Sequence, residues 1–309
     1  MGTVHSLLEA QGKRGALEAG LSRDVVEAAA SYLSDEESGL SFAFSGWAQA
    51  ALPHRRLADD QPWQLASERV TLVVEPGRKP VQGDGLVYVG VPFGAHARLI
   101  LFYLQTEALR TNSREIQLGG SLRQWLTRMG VPIGGTAARS VRDQAERISR
   151  SRLSFHIGPS GQSSGLVNQS ILDRAIFLDV EGEGLQGRLS LETAKLSEGF
   201  FEQLQRHPVP IEEAAIRALA NNSAAMDCYV WLAYRLHSLH AAKLVTWKAL
   251  KAQFGAGFKE LYHFKSRWPA SLDLALAVYP GARIEVLDQG VKLHPSRPPI
   301  SPKAVQIKI

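Results

Sequence analysis

The 309-residue chain is 45% hydrophobic and 21% charged, material for about two ordinary domains and too even for a disordered, collagenous or coiled-coil protein. A net charge of +5 and a pI near 9.3 favour a polyanionic partner. One cysteine, Cys228, rules out an internal disulfide and suits a reducing cytoplasm, and no apolar run reaches the roughly 20 residues of a membrane span.

The N-terminus lacks the basic-then-apolar pattern of a signal peptide. Residues 1–60 are acidic, with nine acids against five bases. Within them Leu17–Leu33 reads as a helix with Ser22 as its N-cap, and residues 1–43 as a partly ordered arm. The adjacent carboxylates Asp59 and Asp60 lack a third ligand at helical spacing and read as a solvated loop, not a metal site. Val70–Glu75 and Leu86–Val91 are expected strands forming a hairpin around the loop Arg78–Gly85.

His96–Arg110 is nearly all apolar and predicts a buried helix. Ile116–Leu118 predicts a short strand. Leu122, Trp125, Leu126 and Met129 share one helix face. Ala138–Arg150 follows, with Val141, Ala145 and Ile148 as a narrow apolar stripe and Arg139, Arg142, Arg147 and Arg150 off it. Leu153–Ile157 alternates like a half-buried strand, Gly158–Gly165 is a polar loop, and Ala175–Val180 and Leu185–Leu191 are further strands. Asp179 and Glu181 read as a strand end and an acidic turn, not a Mg²⁺ site. Helix, short strand, helix, turn, basic helix, hairpin is the order of a winged helix-turn-helix, with Gly158–Gly165 as the wing tip. From Arg98 to Phe155 there are ten arginines, no lysine and four acids. A basic face alone could merely keep a helix soluble, but the planar guanidinium suits phosphates and guanine edges.

Ser197–Arg206 and Ile211–Ala220 are short helices on either side of the break at Pro208 and Pro210. From Ala225 the first pattern returns. Ala225–Leu239 is a long apolar helix, Thr246–Phe254 a short one, and Gly255 and Gly257 a turn. A basic helix spans Phe258–Arg267, and a strand, tight turn and strand span Ala282–His294. Pro269 argues against one continuous helix from Phe258 to Tyr279. Lys243–Trp268 holds six bases and one acid. The expected fold is therefore α+β: an N-terminal arm (1–43) and two winged helix-turn-helix domains in tandem (44–206 and 207–309). The DNA-binding candidates are Arg139, Arg142, Arg147 and Arg150 in the first, and Lys248, Lys251, Lys259, His263, Lys265 and Arg267 in the second.

The stretch Ala95–Phe155, including Arg98–Glu107 and Ser151–Phe155, resembles the plasmid-encoded RepA replication initiator family. His207–Pro210, Asp227–Arg235, Gln253–Gly255, Ala277–Pro280 and Pro298–Pro299 carry the same resemblance, which spans roughly 44–300. It implies binding to repeats in double-stranded plasmid origin DNA, origin opening, recruitment of the host initiator and helicase, and repression of its own promoter. It leaves open a homodimer, for which the first-half sheet (Val70–Val91, Ala175–Leu191) is a candidate interface. The alternative is a winged-helix repressor without origin activity. A catalytic role is not expected, because the chain has no His-x-His pair, no phosphate loop ending in Lys-Ser/Thr, no Gly-x-Ser-x-Gly elbow and no Cys/His metal quartet. No cofactor, metal or membrane association is expected.

Overall fold

A computed structural model describes residues 3–36, 39–67, 70–81, 83, 85–131, 134–157, 165–178 and 190–300. In chain order the elements begin with α1 (Thr3–Glu18, broken at Gly12), α2 (Arg23–Leu33), β1 (Leu40–Phe44), β2 (Trp63–Ala66), β3 (Val70–Glu75), β4 (Arg78–Val81) and β5 (Gly85–Tyr88). Next come α3 (Gly94–Thr111), β6 (Glu115–Gln117), α4 (Gly119–Arg128), α5 (Gly135–Arg150), β7 (Arg152–Ile157), β8 (Gly165–Ser170), β9 (Leu172–Leu178), β10 (Ser190–Leu196) and α6 (Glu198–Arg206). Then follow β11 (Pro208–Glu212), α7 (Glu213–Ala218), α8 (Ser223–Leu236), β12 (Lys243–Thr246), α9 (Trp247–Phe254), α10 (Leu261–Ala277), β13 (Ile284–Leu287) and β14 (Gly290–Leu293).

The chain divides into two compact units. The first gathers the chain up to Ala51, a short piece beginning at Leu65, and the chain from Val209 onward; the second gathers Leu52–Gln64 and the chain from residue 70 to Pro208.

In the first unit the N-terminal segment is not an arm. Ser22 caps α2 by accepting from the Val25 amide, which satisfies an otherwise orphaned donor. Val26, Ala28 and Ala29 are buried, and α2 packs on α1, α7 and α10. His5 on α1 is fully buried, with its Nε2 2.8 Å from the Ala277 carbonyl at the end of α10. The stretch around Pro208 and Pro210 is strand β11 beside β1. Neither proline is a fault there, since a two-stranded pairing leaves one edge without ladder partners. The apolar helix α8 is buried from Ala225 to Ala233. Beside it α8, β12, α9, α10, β13 and β14 run in sequence, and their sheet has the order β12-β14-β13, all antiparallel. Strand β12 falls mostly in a stretch to which the sequence pattern assigns no element, because Lys243–Thr246 carries no strong alternation.

The second unit repeats that plan. The helix α3 buries Ala97–Thr106 and ends at Asn112, whose φ of 47° is the left-handed cap position an asparagine tolerates. Then come β6, α4 and α5, and the sheet β6-β10-β9 again places the last strand in the middle. Between α5 and β9 the second unit inserts the hairpin β7–β8.

The expected pairing of Val70–Glu75 with Leu86–Val91 does not form. The inward residues of β3, Val70, Leu72 and Val74, are buried, and in the register with β7 Leu72 sits opposite Phe155 and Val74 opposite Leu153. By contrast β5 pairs with β4, inside the stretch expected to be loop, and all four of its residues are exposed. The strand returning from β7 is β8, not Ala175–Val180, and the latter falls largely in β9, in the other sheet. Most of the Gly158–Gly165 loop, the Asp179/Glu181 pair and residues 185–189 lie outside the described residues.

Candidate nucleic-acid interface

In the second unit α4 and α5 are joined by a turn in which Gly130 takes φ 73°, a left-handed conformation that favours glycine. Trp125 and Leu126 of α4 and Met129 at its C-cap are buried, as are Val141, Ala145 and Ile148 of α5. The predicted apolar stripe is therefore the packed face of α5. Arg139 and Arg142 are exposed on its opposite side; three residues apart, they share one helix face. Among the described residues neither has a carboxylate in ion-pair range, and Arg139 only reaches back to Thr136 Oγ1 at 3.4 Å.

The other two arginines point elsewhere. Arg147 is 2% exposed. Its Nε donates to Asp143 at 2.9 Å and its Nη2 to Asp59 at 3.1 Å. Burial alone would raise the Asp59 carboxyl, but hydrogen bonds and charge from Arg56 and Arg147 outweigh it and hold the group below its ordinary value. Arg147 is thus an internal strut, which corrects its placement among the outward residues. Helical spacing hid this: Arg147 follows Asp143 by one turn and lies beside the apolar stripe, where the tertiary partner Asp59, with Asp143, makes burial tolerable. Arg150 is half-buried, bonded to Glu146 at 3.3 Å and to the Arg78 carbonyl at 3.2 Å. Glu146 also pairs with Lys79 at 2.9 Å, so α5 holds the β4–β5 hairpin by two polar contacts.

In the first unit Thr246 caps α9. Trp247, Leu250 and Phe254 are buried, as the i, i+3, i+7 spacing predicts. Gly255 ends the helix, and Phe264, Trp268, Leu272 and Ala275 bury one face of α10. Contrary to expectation, α10 passes through Pro269 without a break. The proline leaves the Lys265 carbonyl without its amide partner, but Lys265 is at the surface, where water can take that role. Burial of Trp268 and Leu272 on either side outweighs the roughly 3 kcal/mol cost.

Lys248, Lys259, His263, Lys265 and Arg267 are exposed and Lys251 is half-buried. Lys265 bends back: its Nζ donates to the Asp288 carbonyl at 3.0 Å and lies 5.7 Å from the Trp247 ring centre. Sequence reasoning missed Tyr262, which is 64% exposed, its ring centred 3.9 Å from that of His263. Starting the helix at Leu261 puts Tyr262, His263 and Ser266 opposite the buried Phe264–Trp268 face; the signal was the i, i+4 spacing of those two aromatics.

Residues 91–249, just over half of the chain, match the family described as plasmid-encoded RepA protein. The chain belongs to the plasmid-encoded RepA family. No curated protein matches it. Among solved structures, the crystal structure of a selenomethionine derivative of domains 2 and 3 of RctB is similar at 14% identity with a TM-score of 0.55, covering 84% of this chain and 99% of that one. A second crystal structure of RctB domains 2-3 aligns at 14% identity with a TM-score of 0.47, over 81% and 94% of the two chains. The first likeness concerns the fold alone and covers most of this RepA-family chain. Among its described residues no group of three or more His, Cys, Asp or Glu could hold a metal ion, and no helix is long and apolar enough to cross a membrane.

Proposed function

We propose that this RepA-family chain is a cytoplasmic plasmid replication initiator that binds repeats in double-stranded origin DNA through two winged helix-turn-helix domains. The observation that carries the reading is the repeated unit. Helix, strand, helix, helix, strand, strand occurs twice, the last strand is central in both sheets, and the third helix is basic on its exposed side each time. In that motif the third helix enters the major groove while the second crosses the backbone. The first domain lies within 44–206, with α5 as its recognition helix; the second lies within 207–309 and uses α10. Arg139 and Arg142 serve the first. Lys248, Lys251, Lys259, His263 and Arg267 serve the second, and Tyr262 joins them. The wing of the first domain is then β9–β10 rather than β7–β8.

DNA-bound, the chain promotes origin opening through binding energy and DNA deformation. It recruits the host initiator and helicase and represses its own promoter; it uses no cofactor and performs no cleavage. A homodimer forms through the β4–β5 hairpin. Its β4 edge is blunted by Arg78, Lys79 and Pro80, whereas β5 exposes Leu86, Val87 and Tyr88 on an open edge.

The test is a footprint on the plasmid's own non-coding DNA at physiological salt, with Arg142→Ala alongside. Evenly spaced protections of about 20 bp are expected, two successive major grooves per chain, weakened in the variant. With about six phosphates neutralised, log K falls against log salt with a slope near −5. Protection of a single promoter palindrome favours a repressor without origin activity, and no protection overturns the proposal.

A further inference from the structure

Among the described residues Arg147 is the largest fully buried side chain. What surrounds it ties α5 to two loops. Asp59 receives its Nη2 at 3.1 Å and is held from the other side by both contacts of Arg56, at 2.8 and 3.0 Å. Nη1 reaches the Val91 carbonyl at 3.4 Å, and the Phe93 ring lies 5.3 Å from the guanidinium carbon. Gly90, at φ 86°, leaves the passage open: a Cβ there would strike both Arg147 Nη1 and Asp59 Oδ1. One turn earlier Gln144 accepts from the Phe93 amide at 2.7 Å and donates to Asp143 at 2.9 Å.

Gln144 and Arg147 lie together on one flank of the Val141–Ala145–Ile148 stripe. That stripe is narrow, and apolar contact is non-directional, so packing alone leaves the rotation of α5 about its axis loosely set. The polar contacts are directional and all lie on one side. Arg56, Arg147, Asp59 and Asp143 cancel in charge, so the cluster offers no net attraction to phosphate.

We infer that Asp59 is a positioning residue for DNA recognition. Through Arg147 it fixes the rotation of α5, and hence the direction in which Arg139 and Arg142 leave the helix. This rests on the proposal that α5 enters DNA. It makes an unusual demand, that removal of a negative charge from a DNA-binding protein weakens specific binding.

The test compares full-length Asp59→Asn and Arg142→Ala with the parent. The probes are a duplex covering one footprinted segment of the plasmid and a scrambled duplex, each over a salt series. For Asp59→Asn the Kd on the footprinted duplex is expected to rise about tenfold, with the scrambled duplex and the salt slope unchanged, since geometry and not a phosphate contact is lost. Arg142→Ala is expected to lose affinity and about 0.9 of the slope together. Binding by Asp59→Asn at or above parental affinity, while Arg142→Ala weakens, overturns the inference. If Arg142→Ala changes neither affinity nor slope, the α5 reading itself falls. Should Asp59→Asn lose its folded circular-dichroism signal, Arg147→Lys keeps the charge without the planar fork. The same selective loss is expected of it, and parental binding by Arg147→Lys overturns the inference equally.

Discussion

The two repeated units hold their third helix by different chemistry. Behind α10 stands an aromatic cluster: Trp231, Trp247, Phe254, Phe264 and Trp268, with ring centres between 5.4 and 6.4 Å apart in edge, tilted and stacked pairs. Behind α5 the stripe is aliphatic and slim, and an ion network finishes the job. Large rings bury much area and interlock by shape. Guanidinium–carboxylate contacts bury less but fix direction. One topology thus accepts either solution. The aromatic one leaves the exposed side of α10 free to carry a tyrosine and a histidine, whereas the ionic one consumes one arginine of α5 in its own support.

The comparison breaks most visibly at Trp268. Trp268→Ala removes the ring that touches four other aromatics of the cluster. It should cost about 3–5 kcal/mol in urea unfolding, the range for a buried aromatic truncated to alanine. The matching change in the other unit, Arg147→Ala, should cost about 2 kcal/mol. That is below the range for a fully buried pair, because Asp59 and Asp143 keep 38% and 42% side-chain exposure. A larger loss at Arg147 than at Trp268 would reverse the assignment of which core is the stronger.

A smaller effect sharpens the contrast at the DNA. Tyr262→Ala carries no charge change, so it should lower the ratio of specific to scrambled binding by roughly 1–3 kcal/mol with the salt slope intact, whereas Lys259→Ala should weaken both duplexes alike and take about 0.9 from the slope. Equal behaviour of the two variants in gel-shift titrations would mean that α10 does not separate base reading from phosphate holding.

The helices of the two repeated patterns, unlike α1, were legible in the sequence because their apolar residues recur at helical spacing: Val141, Ala145 and Ile148 on α5; Trp247, Leu250 and Phe254 on α9. Both are buried where the spacing put them. Strand partners were not legible. The choice of β7 over β5 for β3 depends on which distant strand comes to lie against Leu72 and Val74 in the folded chain, and nothing local encodes that. For the same reason Arg147 looked like a surface arginine: its ion partner Asp59 lies 88 positions away. Pro269 misled in the other direction, since a local helix breaker is overruled when its neighbours Trp268 and Leu272 are deeply buried.

The smallest expected effect is a difference of sign with pH. Asp59 has its carboxyl held below the ordinary value of 3.8 in the folded chain. The stability it contributes is therefore complete above the unfolded value and lost as pH falls through the lowered folded one. Glu212, at the joint of β11 and α7, is shifted the other way. Burial raises its carboxyl above 4.5, and the hydrogen bond from Tyr32, at 2.5 Å, only partly offsets this. Its contribution is present below the unfolded value and is lost as pH rises through the folded one. Glu212→Gln keeps an acceptor for Tyr32 and cannot ionise, so its thermal midpoint should exceed the parent's near neutral pH and converge with it below 4.5. Asp59→Asn should fall under the parent near neutral pH and converge only in stronger acid. Parallel curves for the two variants would show that these two half-buried carboxylates sit in equivalent environments, against the opposite shifts that ion pairing imposes on Asp59 and burial on Glu212.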